Sequence, residues 1–436
     1  MISSLPDGIL HHILSHFSTD EVVRLSLLST RWKYLWTSIP NLDFSDRLVD
    51  FTFKSSDEYL DYHNPKRVQN FQNFVDRVLS HHGTSNIHEF HLDCTGIYCG
   101  SRFETWISTL SKHKLGELVL RVGGDTFTLP NFLAISESLT VLELNNSSDV
   151  LVPSSICFPN LKILHFIFVL FHGDKSTQEV SFSFPVLEEF KMFDCNWLEI
   201  RTVNIYAPTL KKLNLGGSKY SSGLYESEVK MDAMNIMALS ILGRICHDYR
   251  LIYLPSLFEA SVDVGRSSEN KRLVKCFASL NHVKNLTLSD RCIKNLFTSD
   301  IFNSLQVFSS LISLTVTRRS NNAFSPKHLI KLLCYMPNIE CLVIELNSGD
   351  HDDDADRSWT HETVPQCSLL NLKSVEIIHF SGSENEQGLI AYLLVRTLEK
   401  MIISFNLHWD DTERDKIVAD LLILPRGSEG TQIILR

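Results

Sequence analysis

The 436-residue chain contains no apolar run long enough to cross a bilayer and no export signal. Asp7, Asp20 and Glu21 interrupt the apolar residues near the start, where a secretory signal would need a continuous run. The net charge of −10 does not favour a nucleic-acid or anionic-membrane partner. Much of that charge lies in one run, 350–362, and the rest of the chain is close to balanced. We therefore expect a cytoplasmic or nuclear protein that binds neither nucleic acid nor membrane.

Signatures of catalysis and of metal binding are also missing. The sequence has no phosphate loop, nucleophile elbow, H-E-x-x-H motif or kinase signature. Its ten cysteines include no C-x-x-C pair, so we expect reduced thiols, many of them buried. Asp350, Asp352 and Asp354 alternate as calcium ligands do, but Ala355 replaces the turn glycine and Glu362 comes one position late. We expect no metal, no cofactor and no catalytic residue, as in a binding adaptor.

The first 44 residues, by contrast, hold many large apolar side chains, including two tryptophans, in a segment too short to bury them comfortably alone. Pro6 suits the first turn of a helix, and an apolar stripe follows it as far as Phe17. The sequence from Ser18 to Glu21 has the form of a capping box and predicts a second helix. Residues 31–36 predict a third. Such a cluster either caps a larger core or docks in a partner's groove.

The residues of this segment resemble the plant F-box. The resemblance rests on Leu5-Pro6-Asp7, Ile9-Leu10-x-x-Ile13-Leu14-Ser15 and Leu28-Ser29-x-Arg31-Trp32-x-x-Leu35-Trp36. The segments 17–20 and 29–32 depart from the family's usual residues without loss of an apolar anchor. The resemblance implies docking on a Skp-type adaptor and, through it, a cullin. The adaptor contacts that it implies are Leu5, Pro6, Ile9, Leu10, Leu14, Leu28, Trp32 and Trp36.

The middle of the chain repeats the phrase apolar-x-x-apolar-x-apolar. The first six copies begin 22 to 28 residues apart, which is the period of a leucine-rich repeat. Prolines precede several copies and mark strand starts, because proline has no N–H to give to a sheet. An ordinary α/β domain with coincidental leucines is the alternative. The copies occupy 87–92, 115–120, 139–144, 161–166, 187–192, 210–215, 257–262, 283–288, 311–316, 339–344, 372–377 and 398–403.

Two further segments depart from this repeat. We find no phrase in 219–250, and Met231, Met234 and Met237 predict that a helical stretch follows a Ser/Gly loop there. This segment is either an insertion or a distorted repeat. Apolar residues from Phe71 to Leu79 predict a helix that covers the first repeat.

The C-terminal segment resembles the plant FBD module. The residues that carry the resemblance are Val364-Pro365-Gln366-Cys367, 372–377, 380–386 and 421–428. Two strand phrases and a helix at about 411–424 would cap the repeat array. The predicted fold is α/β, with a three-helix F-box (1–45), a linker and capping helix (46–80), an irregular leucine-rich-repeat solenoid (81–346), an acidic loop (347–363) and an FBD cap (364–436).

The sequence therefore predicts the substrate-recognition subunit of a Skp–cullin–F-box ubiquitin ligase. The target would bind outward strand positions, which alternate with the buried ones. The target itself is not identified, and its candidate contacts are Glu143, His165, Lys191, Phe193 and Asn214. A small-molecule receptor of hormone-receptor type and a binding scaffold without ligase function are the alternatives.

Overall fold

The protein is described from a computed structural model. The structure describes residues 5–27, 31–46, 65–82, 86–98, 100–124, 127–128, 133, 135–145, 149–173, 178–218, 227–245, 247–251, 254–265, 270–297, 305–318, 326–346, 369–405 and 411–436. The chain divides into two compact units. The first comprises Met1–Leu213, Ser222–Met234 and Cys246–Ile252, and the second comprises Asn214–Ser221, Asn235–Ile245 and Tyr253–Arg436.

Strands are numbered in chain order. Those of the first unit are β1 (Asn41–Ser45), β2 (Glu89–Tyr98), β3 (Glu117–Gly124), β4 (Phe127–Thr128), β5 (Val141–Asn145), β6 (Asp149–Leu151), β7 (Ser155–Cys157), β8 (Ile163–Ile167), β9 (Leu170–His172), β10 (Glu179–Ser183), β11 (Glu189–Phe193), β12 (Asn196–Leu198), β13 (Thr202–Tyr206), β15 (Glu228–Asp232) and β17 (Asp248–Leu251). Strand β14 (Lys212–Gly217) spans the division. Those of the second unit are β16 (Ala238–Gly243), β18 (Glu259–Val264), β19 (Asn285–Ser289), β20 (Ser313–Thr317), β21 (Cys341–Glu345), β22 (Ser374–Phe380), β23 (Lys400–Phe405) and β24 (Gln432–Leu435).

The helices lie mainly at the two ends of the chain. The first unit has α-helices Asp7–Leu14, Thr19–Leu25, Pro65–His81 and Gly100–Leu110, and a 3₁₀ helix Trp32–Ser38. The second unit has α-helices Asn270–Ala278, Asp290–Phe297, Pro326–Leu333, Glu384–Leu394 and Asp411–Leu422. The predicted α/β class is confirmed. The predicted helix around Phe71–Leu79 lies within Pro65–His81, with Phe71, Val75 and Val78 buried.

Parallel pairing builds three sheets in the first unit. Its main sheet has the order β1-β2-β3-β5-β8-β11, and two smaller sheets have the orders β12-β9-β6-β4 and β17-β15-β13-β10-β7. In the second unit β16, β18, β19, β20, β21, β22, β23 and β24 follow one another in one sheet. Successive phrases therefore pair as neighbouring strands within each unit.

Strict alternation of apolar residues explains why the phrases become strands. In β8, Leu164 and Phe166 are buried, while Ile163, His165 and Ile167 are half-buried on the other face. Neighbouring strands repeat this pattern in register, so the buried side chains form one continuous core. Phe166 packs edge-to-face on Phe190 of β11, with ring centroids 6.0 Å apart.

The helical stretch predicted within 219–250 is wrong. Its described residues, 227–245 and 247–250, contribute to β15, β16 and β17. Ile236, Leu239 and Ile241 constitute a further copy of the phrase and are almost fully buried, whereas Met237 is 53% exposed. The methionines happen to recur every third residue, but the buried positions alternate, and burial decides the structure.

The C-terminal segment contains more structure than the sequence predicts. Strands β22 and β23 occupy the two expected phrases, and the expected helix spans Asp411–Leu422. Helix Glu384–Leu394 and strand β24 were not predicted. The acidic loop and most of the linker lie outside the described residues, and so does Leu28.

Six cysteines are free thiols: Cys94, Cys157, Cys195, Cys276, Cys292 and Cys341. Burial raises the pKa of the Cys276 and Cys292 thiols to about 12, which makes them unreactive. The expectation of reduced thiols is wrong at Cys334, which is disulfide-bonded. Spacing along the chain gave no sign of this bond.

Within the described part of the chain, no helix combines the length and the apolar character that a membrane span requires.

Candidate docking and target-binding surfaces

The N-terminal helices begin where their capping residues predict. Helix Asp7–Leu14 starts directly after Pro6. The Ser18 N–H donates to Glu21 Oε2 at 3.0 Å, so the predicted capping box fixes the start of helix Thr19–Leu25. Arg31 precedes the 3₁₀ helix and donates from Nη2 to the Leu5 carbonyl oxygen at 2.6 Å. The first and last parts of the segment are thereby tied together.

These helices share a small core of their own. Six of its side chains are buried, namely Leu10, Leu14, Val22, Trp32, Leu35 and Ile39. Leu5, Leu25 and Trp36 pack against them and stay partly exposed. Among its described residues, the segment therefore forms a core without a partner, and the other large apolar side chains are half-buried or exposed.

Four other apolar side chains in the described part of this segment are exposed. Ile9 is 47% exposed, Phe17 44%, Tyr34 66% and Leu27 86%. A groove of about 850 Å³ lies beside two of them, and its lining includes Val23, Leu27, Tyr34, Trp36 and His81. Exposed apolar surface of this kind, next to a satisfied core, is typical of a docking site.

A direct hydrogen bond joins the N-terminal helices to the main sheet, and another joins them to the end of helix Pro65–His81. The Asp43 N–H in β1 donates to Thr19 Oγ1 at 2.7 Å. His82 Nε2 donates to the Ile39 carbonyl oxygen at 2.7 Å, and burial lowers the pKa of this imidazole and keeps it neutral. Leu42 and Phe44, which belong to β1, have buried side chains. Residues 41–45, the end of the predicted F-box, thus form the first strand of the sheet.

A second candidate surface is the outward face of the main sheet, defined as the side chains of β1, β2, β3, β5, β8 and β11 that alternate with the buried ones. Register places Glu143 beside His165 and His165 beside Lys191. His165 Nε2 lies 3.1 Å from Glu189 Oε1, and its Nδ1 lies 3.5 Å from Glu143 Oε2. Arg121 Nη2 donates to Glu143 Oε1 at 3.0 Å.

Electrostatics reinforce this arrangement. The hydrogen bond from His165, helped by Arg121 and opposed by partial burial, lowers the pKa of Glu143 to about 2. The hydrogen bond to Glu143, opposed by burial and helped by Glu189, raises the pKa of His165. The imidazole is therefore held between two carboxylates in a form that favours the positive charge.

Comparison with known proteins identifies the N-terminal segment. A family model described as the F-box domain matches residues 2–44. The chain carries an F-box. An F-box/LRR-repeat protein of Arabidopsis thaliana is 28% identical over 433 residues, covering 93% of this chain and 88% of the relative. Two F-box/FBD/LRR-repeat proteins of the same plant are 26% and 27% identical, each covering 99% of this chain and nearly all of the relative. The resemblance stated from the sequence is confirmed.

The structure divides seven of the eight predicted adaptor contacts by exposure, and the eighth, Leu28, lies outside the described residues. Pro6 and Ile9 are exposed, and Leu5 and Trp36 are half-buried. Leu10, Leu14 and Trp32 lie in the core of the F-box. Phe17, Leu27 and Tyr34 are exposed apolar residues that were not among the predicted contacts. The apolar stripe contains residues of both faces, so its period alone could not separate them.

Among the predicted target contacts, Glu143, His165, Lys191 and Phe193 share the outward face. Asn214 is half-buried on β14, in the second unit. Arg121 and Glu189 contact this cluster but were missed. They stand 22 and 24 residues from the side chains they contact, so only the strand register could have revealed them. In the described ranges, no group of three or more His, Cys, Asp or Glu side chains is placed to hold a metal ion.

Proposed function

We propose that this chain is the substrate-recognition subunit of a Skp–cullin–F-box ubiquitin ligase. F-box domains generally bind Skp-type adaptors. One observation carries the proposal: the matched F-box has a buried core of its own, yet Ile9, Phe17, Leu27 and Tyr34 are exposed on its helices or just after them. Exposed apolar side chains of this kind are the residues that carry most of the energy of an interface.

The contribution of this chain to ubiquitin transfer is proximity. The F-box docks on the adaptor, the adaptor joins the cullin, and a separately recruited enzyme performs the chemistry. The repeats hold the target and so raise the local concentration of its lysines near that enzyme. In this proposal Pro6 and Ile9 contact the adaptor directly, Leu5 and Trp36 contact it at the margin, and Leu10, Leu14 and Trp32 act by holding the helices in place.

Substitution of an exposed residue tests the interface without disturbing the core of the F-box. Ile9→Lys places a charge on a surface that the adaptor would desolvate, and we expect adaptor affinity to fall about tenfold or more. The matched control is Leu370→Lys, which changes a 77% exposed leucine of the second unit in the same way. The full-length variants are compared by adaptor capture and by thermal unfolding. Equal adaptor capture by Ile9→Lys and wild type would refute the interface.

Purification of the tagged chain with the proteasome blocked tests the wider role. The adaptor, the cullin and candidate targets should be recovered together, and an Ile9→Lys chain should retain targets while losing the adaptor and the cullin. Recovery of the adaptor without any cullin would instead favour a scaffold outside a ligase.

A further inference from the structure

On the outward face of the main sheet in the first unit, acidic side chains outnumber basic ones. Register aligns its side chains in rows that run across six neighbouring strands. These rows contain six acids against two permanently basic residues, Arg121 and Lys191. The acids are Asp43, Glu89, Asp93, Glu117, Glu143 and Glu189. Neighbouring strands are about 4.8 Å apart, so the acids extend as a strip across the sheet.

The cations already on this strip show how it accepts positive groups. His165 lies between Glu143 and Glu189, so one imidazole serves two carboxylates. Arg121 spans from Glu143 to Asp93, at 3.0 Å and 4.0 Å. Glu117 is likewise paired with His91 Nε2, at 3.0 Å. Glu189 stays partly exposed, and because a carboxylate can accept about four hydrogen bonds it keeps capacity for a further donor.

An aromatic pair lies at one end of the strip. Phe168 follows β8 with a φ of 54° and is 46% exposed, and its ring packs edge-to-face on Phe193, with centroids 6.0 Å apart. A left-handed backbone is costly for a phenylalanine. Asp194 takes a φ of 52° at the equivalent place one repeat later, so the repeat itself enforces this turn. The exposed ring offers an apolar or cation–π contact to a neighbouring basic side chain.

The second unit provides an internal comparison. The central outward row of its sheet begins with Ser240, Ser261, Thr287 and Thr315 on β16, β18, β19 and β20. These side chains are uncharged. The same face also bears Glu259, Asp263, Glu345 and Glu376, so acids are frequent on both sheets. In the first unit they cluster around Arg121 and His165, beside the exposed ring of Phe168.

We propose that the outward face of the first unit binds an extended, lysine- or arginine-bearing segment of the target protein. The proposal rests on the function proposed above, since it names the class of target that the repeats recognise. Basic side chains of the segment lie against Glu143, Glu189 and their neighbouring acids, and one of its apolar or basic side chains lies against Phe168. Charge complementarity of this kind determines specificity and association rate.

Peptide binding to the full-length chain tests this surface. The probe is a fluorescein-labelled twelve-residue peptide of alternating lysine and serine, measured by anisotropy at low salt, with a glutamate–serine peptide as its negative counterpart. The double variant Glu143→Gln/Glu189→Gln should weaken binding of the lysine peptide about three- to tenfold, because the ion pairs of its lysines with two half-buried carboxylates are lost. The control Glu340→Gln/Glu399→Gln removes the same charge from the second unit and should leave binding unchanged.

Two further measurements make the result decisive. Phe168→Ala should weaken binding of the lysine peptide. Because this substitution leaves the net charge unchanged, non-specific attraction between charges could not account for the loss. An equal loss in the control, or no loss in the double variant and in Phe168→Ala, would overturn the proposal. Adaptor capture is measured on the same proteins: loss of peptide binding with intact capture rejects this surface alone, and failed capture by wild type rejects the function proposed above.

Discussion

Arg31 ties the two ends of the F-box together, since its Nη2 lies 2.6 Å from the Leu5 carbonyl oxygen and 2.5 Å from Asp7 Oδ1. Both side chains of the ion pair are substantially exposed. Arg31→Ala should therefore lower the free energy of unfolding by less than about 1 kcal/mol. Adaptor affinity should fall more strongly, because Leu5 and Pro6 lose the contact that positions them.

Arg31→Lys is the matched control for this prediction. A lysine can pair with Asp7 but lacks the planar donor group that serves two acceptors, so adaptor affinity should lie between wild type and Arg31→Ala. Calorimetric titration with the adaptor and denaturant unfolding separate binding from stability. Equal losses of both in Arg31→Ala would assign Arg31 a purely structural role.

The stability of the first unit should depend on pH through His165. The pKa of this imidazole is raised in the folded state, so its stabilising contribution is fully present below its ordinary value of 6.5 and is lost as pH rises through the raised pKa. His165→Asn should cost more free energy of unfolding at about pH 6 than at about pH 8.5. Glu143→Gln should reduce the same pH dependence. A cost that is equal at both pH values would contradict the shift.

The segment 236–241 offers a direct test of strand against helix. Leu239 is 2% exposed, so Leu239→Ala should lower the free energy of unfolding by about 2 to 5 kcal/mol. Met237 is largely exposed, and Met237→Ala should change the free energy of unfolding by less than about 1 kcal/mol. Denaturant unfolding of the two variants gives the comparison. A helix that buried its methionines would reverse the order.

Glu386 should stabilise the turn before helix Glu384–Leu394. Its carboxylate accepts from the Ser381 N–H at 2.8 Å and from Ser381 Oγ at 3.0 Å, and burial raises the pKa of this buried group. Glu386→Ala leaves the half-buried Ser381 N–H without its acceptor and should cost about 1 to 3 kcal/mol in thermal or denaturant unfolding. Glu386→Gln keeps one acceptor and should cost less. A larger cost for Gln than for Ala would point to a different role.

Those parts of the fold that depend on local pattern could be predicted from the sequence. Leu161, Leu164 and Phe166 show why: the phrase places all three inward, and all three are buried. The capping box at Ser18–Glu21 and the helix over Phe71–Leu79 are equally local.

Those parts that depend on contacts between distant residues could not be predicted. The small strands β6, β9 and β12 have three residues each, which is too few to show a periodicity in the sequence. Ile9 and Leu10 are neighbours in one apolar stripe, yet only Leu10 enters the core of the F-box. The pairing of His165 with Glu189 requires the strand register, which the sequence of either strand does not contain.

Strand β1 follows the 3₁₀ helix after only Ile39 and Pro40, and it pairs with β2 from Asn41 to Ser45. The F-box thus has no flexible tether to the main sheet. Under the proposed function, a target bound on that sheet would point toward the ligase at a set angle, and the choice among its lysines would follow from direction as well as from distance. Which lysines are modified would then be encoded partly in the five-residue strand that fixes the F-box to the sheet.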